Sequence, residues 1–204
     1  MEEKDFWKII GAASKKAKGV PEEIPDHVAT ALKRLDAREI IAFDEVMTRL
    51  LDEAYRWDLW GAAYLMCGGC ADDGFEHFRA WLISRGEAAY RSALEDPDSL
   101  ASLVDPDGVA EYDCEELLYA ASVAHEEKTG EDLPPSRGTR PKAPAGKRWS
   151  EDGVEAAYPK IAKAVGLDVD EDEDDEEDGE DGEDGEETTP GAAPASSPSR
   201  GSPP

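Results

Sequence analysis

Apolar residues recur at intervals of three and four through most of the first 128 positions, in blocks separated by glycine, proline or acidic turns. Such spacing gathers the apolar side chains of each block on one face of an α-helix. Phe6, Ile9, Ile10, Ala13 and Ala17 predict a helix over residues 5–18 that stops near Gly19, with Pro21 and Pro25 breaking the chain beyond it. A second helix is predicted from Asp26, carrying Val28, Ala31, Leu32 and Leu35. Asp36 followed by Glu39 has the spacing of a capping box, and Ile40, Phe43, Val46, Met47, Leu50, Leu51 and Ala54 then form one unbroken stripe. A fourth helix runs from Asp58 to about Cys67 with Trp60, Ala63 and Tyr64 on one side, and Gly68-Gly69 ends it.

Asp73 and Glu76 repeat the capping-box spacing ahead of Phe75, Phe78, Trp81 and Leu82, which predict a fifth helix ending at Gly86. A sixth covers Glu87 to Leu94. Asp98-Ser99 is placed to cap a short turn of helix through Val104, and Asp105-Pro-Asp-Gly108 is a turn by composition. A seventh helix, about Asp113 to Lys128, brings Cys114, Leu117, Leu118 and Ala121 together before Gly130. No stretch sustains two-residue alternation with β-branched enrichment, so the expected fold is all-α, one compact domain of about seven helices. Its core is expected where the third, fourth and fifth helices meet, since seven of the fifteen aromatic residues fall between Tyr55 and Trp81.

Composition divides the 204 residues further. The helical domain is assigned to residues 1–132 and a Pro/Gly/basic linker to 133–149. Residues 150–166 are read as a short C-terminal helix that can pack on the domain, and 167–204 as a disordered acidic and Pro/Ser-rich tail. Of the net charge of −27, sixteen negative charges lie between Asp168 and Glu187 with no basic residue among them, which leaves −11 on the rest of the chain. A surface of that sign repels a phosphate backbone, so no direct nucleic-acid binding is expected. The acidic run is read as a solvated coil, with a nucleic-acid mimic that occupies a basic partner or folds back on the linker as the functional alternative.

The start of the chain lacks a basic segment followed by an apolar run, and the longest uncharged stretch, Leu59 to Ala71, falls short of the ~20 residues that span a bilayer. Three cysteines, at 67, 70 and 114, are too few and odd in number for a disulfide framework. A cytoplasmic protein without membrane contact is the expectation.

The string from Trp57 to Gly86 followed by Asp96-Pro97-Asp98 resembles the bacterial domain of unknown function catalogued as family 4240. The resemblance is carried by Trp57, Trp60, Ala62-Ala63-Tyr64, Gly68-Gly69, Asp72-Asp73, Phe75, Phe78-Arg79, Trp81-Leu82 and Gly86. The opening Phe6-Trp-Lys-Ile-Ile10, the Asp36 to Tyr55 helix and the closing Tyr158 to Gly166 segment are similar as well. It covers roughly residues 5–128 and, more weakly, 149–166. It implies a helical fold and a bacterial source, and supplies no catalytic residue.

Candidate chemistry gathers near the double glycine. Cys67-Gly-Gly-Cys70 has the spacing of a redox or metal pair, but Cys67 closes a predicted helix, where the dipole disfavours a thiolate. A zinc site would need two more ligands from Cys114, His27, His77 and His125. The expectation is therefore small buried residues beside a tight turn, with no metal and no cofactor. Asp72, Asp73 and Glu76, with Asp58 and Arg79 near in sequence, form either a carboxylate site or helix-start capping chemistry in which Arg79 pairs with one aspartate. Trp60 and Trp81 are expected in the core, and Trp57 beside Arg56 is expected to be partly exposed, as anchors for protein partners are.

No phosphate-binding, zinc-protease, nucleophile-elbow or EF-hand signature occurs. The expected function is a non-catalytic protein-interaction or regulatory module, with an immunity-like protein complementing a basic toxin domain as its narrower form. Its contact surface is expected at Arg56, Trp57, Asp58, Asp72, Asp73, Glu76 and Arg79. The alternative is a hydrolase or metal-dependent enzyme using Asp72 and Asp73.

Overall fold

The helix stripes predict where apolar faces must meet, and a computed structural model shows how they do. It describes residues 1–18, 20–108, 110–136 and 141–167, all within one unit, Met1–Asp170. The acidic tail, apart from Leu167, and Arg137 to Arg140 of the basic linker lie outside the described residues. Seven helices of nine residues or more follow one another: α1 (Glu3–Ala17), α2 (Ile24–Leu32), α3 (Ala37–Glu53), α4 (Trp57–Cys67), α5 (Asp72–Ser84), α6 (Glu87–Glu95) and α7 (Glu115–Thr129). Two short ones, α8 (Val154–Ala157) and α9 (Pro159–Ala164), come after them. Turns of 3-10 helix cover Pro21–Glu23, Pro97–Leu103 and Glu151–Gly153. Among the described residues there is no strand, so the all-α expectation holds.

The central element is α7, which packs on α2, α3 and α5, while α1 lies across α2 and α3. Phe6 of α1 meets Phe43 of α3 at 4.6 Å between ring centroids, and the Tyr90 hydroxyl of α6 donates to the Leu50 carbonyl at 2.6 Å. A second run of rings passes from the α4 surface into the interior: Trp57, Trp60, Phe75, Phe78, Trp81 and Tyr112. Trp60 and Trp81 are buried and Trp57 is half-buried, as expected of each.

The capping box predicted for α3 is present: the Glu39 amide donates to Asp36 Oδ1 and the Asp36 amide to Glu39 Oε2, each at 2.9 Å. The one predicted for α5 is not. Its N-cap is Ala71, without a side-chain cap, because the extended backbone at Ala71 (ψ 176°) lets helical geometry begin at Asp72. Asp72 and Asp73 therefore occupy the first turn, where their charge meets the positive end of the helix dipole instead of capping it.

Asp98 differs as well. Asp96 caps the Pro97–Leu103 turn through the Asp98 amide at 3.1 Å, and Asp98 itself turns inward. Its carboxylate accepts the Ile161 amide at 2.9 Å and the Lys160 amide at 3.2 Å, at the first turn of α9. An aspartate 63 positions away thus supplies the acceptors that an N-cap residue ordinarily would. The segment after Tyr158 is fastened to the helical body by that pair of bonds.

Candidate functional site

The chain leaves α3 at Ala54 and enters α4 three residues later, and that short crossing is where the C-terminal segment attaches. Tyr55 and Trp57 bracket a single parallel bridge to Ala145: the Ala145 amide donates to the Tyr55 carbonyl and the Trp57 amide to the Ala145 carbonyl, both at 2.9 Å. Arg56 is fully engaged there. Its guanidinium grips both oxygens of the Asp58 carboxylate and donates to the Leu94 carbonyl at 2.8 Å. Arg56 and Asp58 thus fix the start of α4 to the end of α6.

Farther along α4, Gly61 permits the closest approach of the C-terminal segment. A Cβ at that position would lie 2.8 Å from the Tyr158 hydroxyl oxygen and 3.1 Å from Trp149 Cδ1. Tyr158, buried against this gap, donates to the Asp58 carbonyl at 2.7 Å. Burial is the main reason its phenol pKa is pushed up to about 12.

Between α4 and residues 142–152 runs a groove of about 800 Å³. Its floor is aromatic. Trp57 stacks on Trp60 at 5.1 Å and 7°, and Trp60 on Phe75 at 4.8 Å and 10°. Tyr64 meets Trp149 at 4.7 Å on the opposite wall, and the Arg148 guanidinium lies 5.1 Å from the Trp57 ring. Lys142 adds a second basic group, while Asp72, Glu151 and Asp152 line the same groove with acid. The Trp149 indole nitrogen is buried with no hydrogen-bond partner among the described residues.

Of the residues predicted for this surface, Trp57 and Asp72 line the groove, and Asp73 is exposed one position on. Glu76 is half-buried on the next turn. Arg79 does not reach the surface with them. It is buried, donating to the Leu51 carbonyl at 2.7 Å and the Phe75 carbonyl at 3.2 Å, with its guanidinium 4.8 Å from the Tyr55 ring. The side chain folds inward, with the Leu51 and Phe75 carbonyls and the Tyr55 ring against its cation.

The described residues contain no group of three or more His, Cys, Asp or Glu side chains placed to hold a metal ion. His77 Nδ1 is 2.9 Å from Asp113, and His125 Nδ1 is 3.1 Å from the Glu131 carbonyl oxygen. The cysteines depart from expectation, since Cys67 is exposed and Cys70 half-buried, with only Cys114 interior. Burial pushes the Cys114 thiol up to about 12, which makes it inert.

A family model described as "Protein of unknown function (DUF4240)" matches residues 1–127. The chain belongs to that family. No curated protein and no solved structure matches it. The DUF4240 match spans α1 to α6 and nearly all of α7, so it contains the Trp57 wall of the groove and not the Arg148-Trp149 wall. Arg148 and Trp149 are therefore groove residues that the sequence reading passed over. The available signal was a tryptophan inside an otherwise polar Pro/Lys/Arg stretch, since an indole there must pack on something. No helix among the described residues of this DUF4240 chain is long and apolar enough to cross a membrane.

Proposed function

We propose that this protein is a non-catalytic protein-interaction module that binds its partner in the groove between α4 and residues 142–152. The observation that carries this reading is the half-buried Trp57, stacked on a rigid column of rings and flanked by Arg148, in an open cleft. A preorganised indole beside a guanidinium loses little side-chain entropy on binding, which is why such pairs dominate protein interfaces. The aromatic floor suits an apolar or proline side chain of a partner loop. Asp72, Glu151 and Asp152 suit basic groups beside it, and the −11 carried outside the Asp168 to Glu187 run favours a basic partner in the manner of an immunity protein.

The test is affinity purification of the full chain from its native cell, in parallel with Trp57→Ala and a form lacking residues 168–204. The expected result is a defined partner that is retained at low salt, released at high salt and lost with Trp57→Ala while circular dichroism shows the helical fold retained. Loss of a hot-spot tryptophan costs about 2 kcal/mol or more, roughly thirtyfold in affinity. Equal recovery with wild type and Trp57→Ala overturns the proposal.

A further inference from the structure

The double-glycine turn places two thiols together in a way that the spacing of the motif does not reveal. Helix α4 closes in a Schellman motif, with the Gly69 amide donating to the Tyr64 carbonyl at 2.8 Å and the Gly68 amide to the Leu65 carbonyl at 3.3 Å. Both glycines have positive φ, +64° and +123°, so the chain reverses between Cys67 and Cys70. Cys67 is the last residue of α4 and is exposed. Cys70 lies two residues before α5, its carbonyl held by the Trp60 indole N–H at 2.9 Å.

The sulfur of Cys70 sits over the first turn of α5, where a Cβ on Gly74 would be 3.7 Å from it. The dipole argument against Cys67 thus turns in favour of its neighbour: the second cysteine, not the first, occupies the positive end of a helix. The two thiols interact across the turn. That interaction raises the Cys67 pKa and lowers that of Cys70 against the opposing effect of Cys70's own burial. Both cysteines line a cavity of about 800 Å³ between the turn, the Val104 to Asp113 loop and the end of α9, open enough to admit a small molecule.

We propose that Cys67 and Cys70 form a reversible dithiol–disulfide site, with Cys70 as the attacking sulfur, Cys67 as the resolving sulfur and a small-molecule disulfide as the oxidant. The Cys70 thiolate attacks one sulfur of the oxidant, whose S–S bond breaks and whose other half leaves as a thiolate and takes up the proton Cys70 has released. Cys67 then gives up its proton and attacks Cys70 Sγ in the mixed disulfide. That closes the Cys67–Cys70 bond and expels the second half, which takes up the Cys67 proton. Two protein thiols are oxidised by two electrons, and one small-molecule disulfide is reduced to two thiols. In a reducing compartment the site rests as the dithiol and closes only when the thiol pool is oxidised. The site adjoins the groove, whose lining Cys70 shares, but its chemistry is read from the cysteines and either reading can fail without the other.

The test exposes the full, reduced chain to oxidised glutathione and follows intact mass and peptide maps, with circular dichroism confirming the fold of each variant. Wild type and Cys114→Ser are expected to lose two hydrogens through a Cys67–Cys70 bond without keeping an adduct. Cys67→Ser should hold one glutathione on Cys70, and Cys70→Ser should react at Cys67 about tenfold more slowly or less. Wild type that stays reduced, wild type that accumulates a stable mixed disulfide, or equal rates in the two single variants each overturn the proposal.

Discussion

Replacing Asp98 by alanine tests how the C-terminal segment is held, because the structure gives this side chain one dominant task. Asp98 is buried, and its two oxygens accept the amides of Lys160 and Ile161 at 3.2 and 2.9 Å. Losing an N-cap acceptor costs about 1 kcal/mol. The Ile161 amide is buried and would be left without a partner, which adds roughly 1–3 kcal/mol. The Lys160 ammonium, 3.8 Å away on an exposed side chain, adds little. Removing a buried carboxylate also recovers part of its desolvation cost, so the low end of the range applies, about 2 kcal/mol in all. Asp98→Asn keeps one acceptor and should lose about half as much. Urea unfolding gives the stability change, and amide hydrogen exchange over residues 158–166 shows where protection is lost. Both variants lying within 0.5 kcal/mol of wild type, with exchange over 158–166 unaltered, would refute the long-range cap.

Three further outcomes follow from particular contacts. Gly61→Ala drives a Cβ to within 2.9 Å of Tyr158 Cε2 and should cost about 1–3 kcal/mol by overpacking, read from thermal unfolding, whereas an unchanged midpoint would mean that Tyr158 yields without loss. Arg79→Ala removes a buried guanidinium bonded to the Leu51 and Phe75 carbonyls and should cost about 3 kcal/mol in urea unfolding. Burial raises the folded pKa of Tyr158 from 10.0 to about 12, so its contribution is complete below pH 10 and declines as pH rises toward 12. Stability measured across that interval should fall less steeply in Tyr158→Phe than in wild type.

What the sequence disclosed and what it withheld divide along the range of the interactions. The stripe from Ile40 to Ala54, the Asp36 cap and the Gly68-Gly69 stop were legible because each is decided within four or five residues. The start of α5 was not, since an extended Ala71 and an aspartate at the wrong position by one residue have the same composition as a capped start. Asp98 reads locally as a turn former, and nothing within its own segment indicates partners 62 and 63 positions on. Arg79 reads as a surface cation until the Tyr55 and Phe75 rings are brought against it. Half of the candidate groove was legible, from Trp57 and Asp72. The other half was hidden because Arg148 and Trp149 belong to a stretch whose Pro and Lys content describes a linker.

Docking of a partner at the groove is read by hydroxyl-radical footprinting of the chain alone and in its purified complex. Protection of Trp57, Tyr64 and Trp149 is expected on binding. Tyr119, 53 % exposed on α7, should react equally in both states. Protection of Tyr119 with undiminished oxidation of Trp57 and Trp149 would rule out docking at the groove and move the interface to the exposed face of α7.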